Sequence, residues 1–239
     1  MSEARTRTER REASGAAAAN GRSPARTFLQ PIAAPSILGL FGFAAATFMV
    51  SANLAGWYGS TATQEYLAPF AATFGGIAQF LAGMWAYKAR DGVATAMHGM
   101  WGSFWIAYGI LFILVANGTL GTGINFSLGL GYWFAMLAAI TLMGAFAAMG
   151  ENLGLASVLH ALWIGSGCLA VGFLTTTGWW TVIGAYVLII SALCAWYTAS
   201  AMMFDGVGRP ILPVGKTRRA REKAEFSAGF GEPGVKHGQ

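Results

Sequence analysis

Two histidines, His98 and His160, are the side chains inside the apolar stretches of this sequence whose ordinary titration range lies near neutrality. His98 stands three residues before Trp101 and His160 two before Leu162. Each is a candidate proton-sensitive group gating a solute pathway. The competing reading is a neutral imidazole hydrogen-bonded between helices. Neither histidine has further ligands at metal-binding spacing, and no nucleophile–base pair or phosphate-binding loop occurs. Glu65, Asp91, Glu151 and Asp205 fall at the ends of apolar segments rather than within them, which argues against a carboxylate relay, a voltage sensor or a buried catalytic carboxylate pair. The chain is therefore not read as an enzyme, and neither a cofactor nor a metal is expected.

Polar but uncharged residues are better represented in the same stretches: Thr47, Ser51 and Asn53 in the first, Thr73 and Gln79 in the second, Ser103 in the third. Thr47 and Ser51 are four residues apart and share one face of a helix. Groups of this type can replace part of a solute's hydration shell without trapping it, as conduction requires. Thr47, Gln79, Ser103 and Asn53 are thus candidate substrate-binding residues, although hydrogen bonds between helices would use the same side chains. Glycines such as Gly39, Gly42, Gly75, Gly76, Gly83, Gly99 and Gly102 supply small faces for close helix approach. The run Gly75-Gly76-Ile77-Ala78-Gln79 could also expose backbone groups to a pore.

The elements that must hold these residues follow from composition. Of 239 residues, 55% are apolar and only 10% charged, whereas a soluble domain carries about 25% charged residues. Six stretches are long and apolar enough to cross a bilayer: Ser36–Trp57, Glu65–Tyr87, Val93–Ala116, Ile124–Met149, Leu155–Thr175 and Trp179–Phe204. The expected fold is an all-α integral membrane protein with six transmembrane helices in one compact bundle, spanning residues 34–204 between a basic tail at 1–33 and another at 205–239. The net charge of +5 is concentrated in those tails, flanking apolar spans, which points to anionic lipid headgroups rather than nucleic acid. Lys88 and Arg90 place a further basic cluster in the second connector, while the first, third and fifth connectors have no Lys or Arg. Positive loops stay on the cytoplasmic side, so both termini are expected there. The N-terminal tail lacks the short apolar region of a secretory signal. Cys168 and Cys194 read as packing residues.

Three stretches carry a family resemblance. Ala34-Pro35-Ser36-Ile37-Leu38-Gly39-Leu40 resembles an Asn-Pro-Ala-Pro-Leu-Gly-Leu opening of the first helix. Phe74-Gly75-Gly76-Ile77-Ala78-Gln79-Phe80-Leu81-Ala82-Gly83-Met84-Trp85-Ala86-Tyr87-Lys88, followed by Gly102-Ser103-Phe104-Trp105, matches the next two helices, and Gly208-Arg209-Pro210-Ile211-Leu212-Pro213-Val214-Gly215 matches a closing Gly-Arg-x-x-Leu-Pro-x-Gly. Together these resemble the acetate uptake transporter family, whose bacterial members include succinate–acetate permeases. The resemblance implies a homohexamer of six-helix protomers, each with its own pore narrowing to a hydrophobic constriction formed by Phe43, Trp101 and Leu162. This sequence departs from the family pattern at Ala34 and Ile37, where Asn and the second Pro would stand. It also has Trp101 where Tyr is common and Ala86 in place of a Glu.

The function implied is movement of acetate or a related small monocarboxylate, with succinate as a further candidate, across an inner or plasma membrane. Such an acid is almost wholly anionic at neutral pH, and desolvating an anion in an apolar constriction is costly without donors nearby. The donors expected to help are Trp101 N–H, the Gln79 amide and the Ser103 hydroxyl; protonation of the acid is the other way across. An alternative is a channel for small neutral solutes such as urea, amides or ammonia, which a pore without fixed charge also suits.

Overall fold

A computed structural model describes residues 32–215. Its helices, numbered in chain order, are α1 (Ser36–Leu54), α2 (Thr63–Lys88), α3 (Gly92–Ala116), α4 (Ile124–Ala148), α5 (Leu153–Thr175) and α6 (Gly178–Gly206). All six have the length and hydropathy to cross a membrane. They match the expected spans to within a few residues, and α6 runs two residues beyond Phe204. Large apolar side chains face outward on every helix, among them Phe48, Phe70, Ile110, Tyr132, Ile164 and Trp196. An outer surface of this kind is stable in hydrocarbon rather than water.

The six helices form a ring in chain order, each packed on the next, with α6 closing against α1. Small residues set the closeness. A Cβ on Gly83 would lie 2.6 Å from the Gly99 backbone nitrogen, and one on Gly102 would lie 2.6 Å from that of Phe80, so α2 and α3 touch backbone to backbone. On the opposite side, Gly165 of α5 and Gly184 of α6 face each other's carbonyls. The seam between α3 and α4 is made differently. There the backbones stand further apart, and Phe104 spans the gap, meeting Trp133 and Phe134 at centroid distances of 4.9 and 5.3 Å.

Helix α2 is not uniform. Its α-helical ends, Thr63–Phe70 and Gln79–Lys88, flank a π-helical stretch over Ala71–Ala78. Pro69 lies just before that stretch and lacks the N–H that would bond one turn back. Gly75 and Gly76 inside it tolerate the looser winding, and both are wedged against neighbours: a Cβ on Gly75 would sit 2.7 Å from the Trp105 ring, and one on Gly76 would sit 2.8 Å from Ile106. The π turns change the angular register of everything after them, and so set the direction in which Gln79 points.

The connections are locally determined. Asp91 Oδ1 accepts from Ala94 N–H at 2.9 Å and Asn152 Oδ1 from Leu155 N–H at 2.8 Å, capping α3 and α5. Asn53 Nδ2 donates to the carbonyls of Tyr58 and Ser60, fixing the turn between α1 and α2. After α6, the segment 207–215 folds back: Gly215 and Val214 carbonyls accept from the Leu153 and Gly154 N–H groups, and Tyr197 Oη donates to Pro213 O. The closing motif thus straps the C-terminal end of α6 to the start of α5. The rest of the two basic tails, 1–31 and 216–239, lies outside the described residues.

Candidate functional site

Helices α1, α3 and α5 run in the same direction and each presents one face to the centre of the ring. On α1 this face carries Ser36, Leu40, Phe43, Thr47, Ser51 and Leu54, spaced three and four residues apart. The equivalent stripes on α3 and α5 include His98, Trp101 and Trp105, and Leu155, Leu162 and Leu169. Between the stripes lie two small cavities, of about 20 and about 40 Å³.

The first cavity lies at the N-terminal ends of α1, α3 and α5, where Ser36, Val93, Ala94 and Leu155 line it together with Gln79 and His98. The second lies at the opposite ends and includes Thr47, Ser51, Gln64, Trp105, Tyr108 and Phe173. Trp101 and Leu162 line both cavities, and Phe43 lines the first. These three side chains are each at most 3% exposed, and the Phe43 and Trp101 rings meet edge to face at 6.3 Å. The structure therefore brings Trp101 and Leu162 to the boundary the two cavities share, with Phe43 against Trp101 on the side of the first.

That boundary is anchored on α4. Trp101 Nε1–H donates to Thr141 Oγ1 at 3.0 Å, and the Thr141 hydroxyl donates to Leu137 O. Trp101 N–H, read from the sequence as a donor for substrate, is thus engaged with Thr141, which holds the indole at a fixed angle. Thr141 was not singled out in the sequence, although it is a hydroxyl residue deep in a long apolar segment and is fully buried.

The remaining candidates separate clearly. Gln79 and His98 line the N-terminal cavity and Thr47 lines the other; Gln79 Oε1, His98 Nδ1 and Thr47 Oγ1 are buried without hydrogen-bond partners. Buried polar atoms are nearly always paired, so unpaired ones facing a cavity are suited to a ligand. Ser103 is on the outer face, its hydroxyl donating to Gly99 O. Asn53 is occupied with the α1–α2 turn. His160 is half-buried, its Nδ1 2.8 Å from Ala156 O and its ring against Phe146, and it lines neither cavity. Ser36, Gln64, Tyr108 and Ser166 are polar residues of the interior that the sequence reading did not select; Tyr108 Oη donates to Gln64 Oε1 at 3.4 Å.

Among the described residues, no Asp, Glu, Lys or Arg lines either cavity. The electrostatics of the N-terminal cavity come instead from three helix N-termini, whose peptide dipoles favour negative charge. Asp91 and Asn152 already answer those of α3 and α5, whereas α1 starts at Pro35 with no side-chain cap. One uncapped terminus is worth about 0.3–1 kcal/mol towards an anion, far short of the cost of desolvating a carboxylate.

Comparison with known proteins agrees with this architecture. The profile of the GPR1/FUN34/yaaH family matches residues 18–210. The Meiotically up-regulated gene 86 protein of Schizosaccharomyces pombe is 29% identical over 75% of this chain, which spans 63% of that protein's length. The succinate-acetate/proton symporter SatP of Escherichia coli K12 is 24% identical, with 78% of this chain and 97% of SatP aligned. The solved structure of the bacterial acetate channel SatP superposes with a TM-score of 0.71 at 23% identity, covering 77% of this chain and 99% of that one. With its six apolar spanning helices, this chain is a multi-pass integral membrane protein and belongs to the GPR1/FUN34/yaaH family.

Proposed function

We propose that this protein moves acetate and related small monocarboxylates across the membrane, along a pathway through each protomer that crosses the septum of Phe43, Trp101 and Leu162. The observation that carries the reading is the pair of cavities meeting at Trp101 and Leu162 inside a single six-helix ring. A solute entering at either cavity has only that apolar layer to cross. Gln79 and Thr47, with unpaired oxygens on opposite sides of it, are the groups that replace solute hydration. The named activities of the SatP relatives, a succinate-acetate/proton symporter and an acetate channel, support the choice of substrate.

The proposal places both termini on the cytoplasmic side of an inner or plasma membrane, following the basic connector at Lys88 and Arg90. It also takes the assembly to be a homohexamer with six separate pathways, as the resemblance of the helix motifs suggests.

The test is uptake of radiolabelled acetate into proteoliposomes of the full chain, with succinate, urea and ammonium as competitors. Saturable uptake blocked by short carboxylates is the expected result, and Phe43→Ala should widen the septum so that acids larger than acetate pass more readily. Urea or ammonia passing while acetate does not would overturn the reading. That outcome would make the uncharged lining a conduit for neutral solutes instead.

A further inference from the structure

Phe43, Trp101 and Leu162 are not held alike. Each is at most 3% exposed, and the cavities beside them have only about 20 and about 40 Å³ of room, so a solute crosses from one cavity to the other only by pushing such a side chain aside. Phe43 and Leu162 have no polar side-chain atom, and the packing that resists their rotation is non-directional and re-forms as a side chain turns. Trp101 has contacts of the same kind, edge to face with Phe43 at 6.3 Å and with Phe104 at 5.1 Å. It also has a tether: its Nε1–H donates to Thr141 Oγ1 at 3.0 Å, from α3 to α4. Turning the indole away from Thr141 leaves its single donor unpaired in an apolar interior, which costs more than the net worth of the bond itself.

Thr141 is arranged to keep that bond. Its hydroxyl hydrogen goes to Leu137 O, one turn back on the same helix, at 2.7 Å. The oxygen lone pairs are then free to accept from Trp101, and the hydroxyl cannot rotate without losing a bond of its own. The residue is fully buried and lines neither cavity, so it acts on a solute only through the indole. Building on the transport reading above, we propose that Thr141 is a positioning residue for size selection: its bond holds Trp101 in place while Phe43 and Leu162 yield, which keeps the opening small and admits acetate in preference to longer monocarboxylates.

The experiment compares acetate with butyrate, two acids of nearly equal pKa, as initial-rate uptake into proteoliposomes of the full chain after subtraction of the flux into empty liposomes. The quantity read is the butyrate-to-acetate ratio of kcat/KM. Thr141→Val keeps the shape of the side chain and loses the hydroxyl; it should raise the ratio about fivefold, the factor that one neutral hydrogen bond corresponds to. Thr141→Ala, a second way of removing the hydroxyl, should raise it as well, and Thr141→Ser, which keeps the hydroxyl, should return the parental ratio. In a Trp101→Phe background, where the bond is already gone, Thr141→Val should change the ratio no further. A merely structural role would lower the rates for both acids alike and leave the ratio at its parental value in Thr141→Val and Thr141→Ala, which would overturn the proposal. The same fivefold rise from Thr141→Val in the Trp101→Phe background would overturn it equally, because Thr141 would then act by another route. Absence of saturable acetate uptake by the parent would instead sink the transport reading, and this proposal with it.

Discussion

At the scale of single residues, the decisive contact is the hydrogen bond between Trp101 and Thr141. It converts a flexible aromatic side chain into a fixed plate across the bundle axis. Trp101→Phe and Thr141→Val should each lower the thermal midpoint in detergent, by an amount equivalent to about 1 kcal/mol. The double variant should lose less than the sum, because both substitutions remove the same bond. Strict additivity would show that the bond contributes nothing. Trp101→Ala would additionally leave a void at the septum, and the cost of such truncations, about 3–5 kcal/mol, makes it the poorer probe of selectivity.

At the scale of elements, α1, α3 and α5 supply most of the lining of the two cavities, with Gln64, Gln79, Leu130, Phe134 and Leu188 added from α2, α4 and α6. The strap formed by 207–215 has a defined part in this, because it binds the first N–H groups of α5, the helix that presents Leu155 and Leu162 to the cavities. Gly215 has φ +68°, and a Cβ there would come within 2.9 Å of Leu153. Gly215→Val should therefore detach the strap, lowering the thermal midpoint by several degrees. A milder change, Tyr197→Phe, removes one hydrogen bond to Pro213 O and should cost about 1 kcal/mol or less. An unchanged midpoint in Gly215→Val would mean that the strap is not holding α5.

For the whole molecule, an even number of spans puts both ends of the bundle on one face. The basic α2–α3 connector at Arg90 lies on that face, and the uncharged α3–α4 connector at Gly118 lies on the other. In a background with Cys168 and Cys194 replaced, a cysteine at Gly118 should react with an impermeant maleimide added to intact cells. One at Arg90 should react only after the membrane is opened. The reverse pattern would invert the orientation while leaving the fold intact.

Hydropathy, the one-sided placement of Lys and Arg, and the motifs at Ala34–Gly42 and Phe74–Lys88 were enough to establish the fold class, the six spans and the family, because bilayer thickness and loop charge act on the chain locally. The resemblance also selected Phe43, Trp101 and Leu162; Trp101 and Leu162 line both cavities and Phe43 the first. What the sequence could not decide was the angular position of each polar residue. Ser103 and His98 lie on the same helix five residues apart, yet one faces outward and the other the N-terminal cavity. That difference depends on where the glycine contacts of α3 with α2 set its rotation, and on the π turns of α2 that no propensity predicts. In lipid every face of a spanning helix is apolar, so the amphipathic signal that orients helices in soluble proteins is nearly absent, and only tertiary packing settles which side chains face the interior of the bundle.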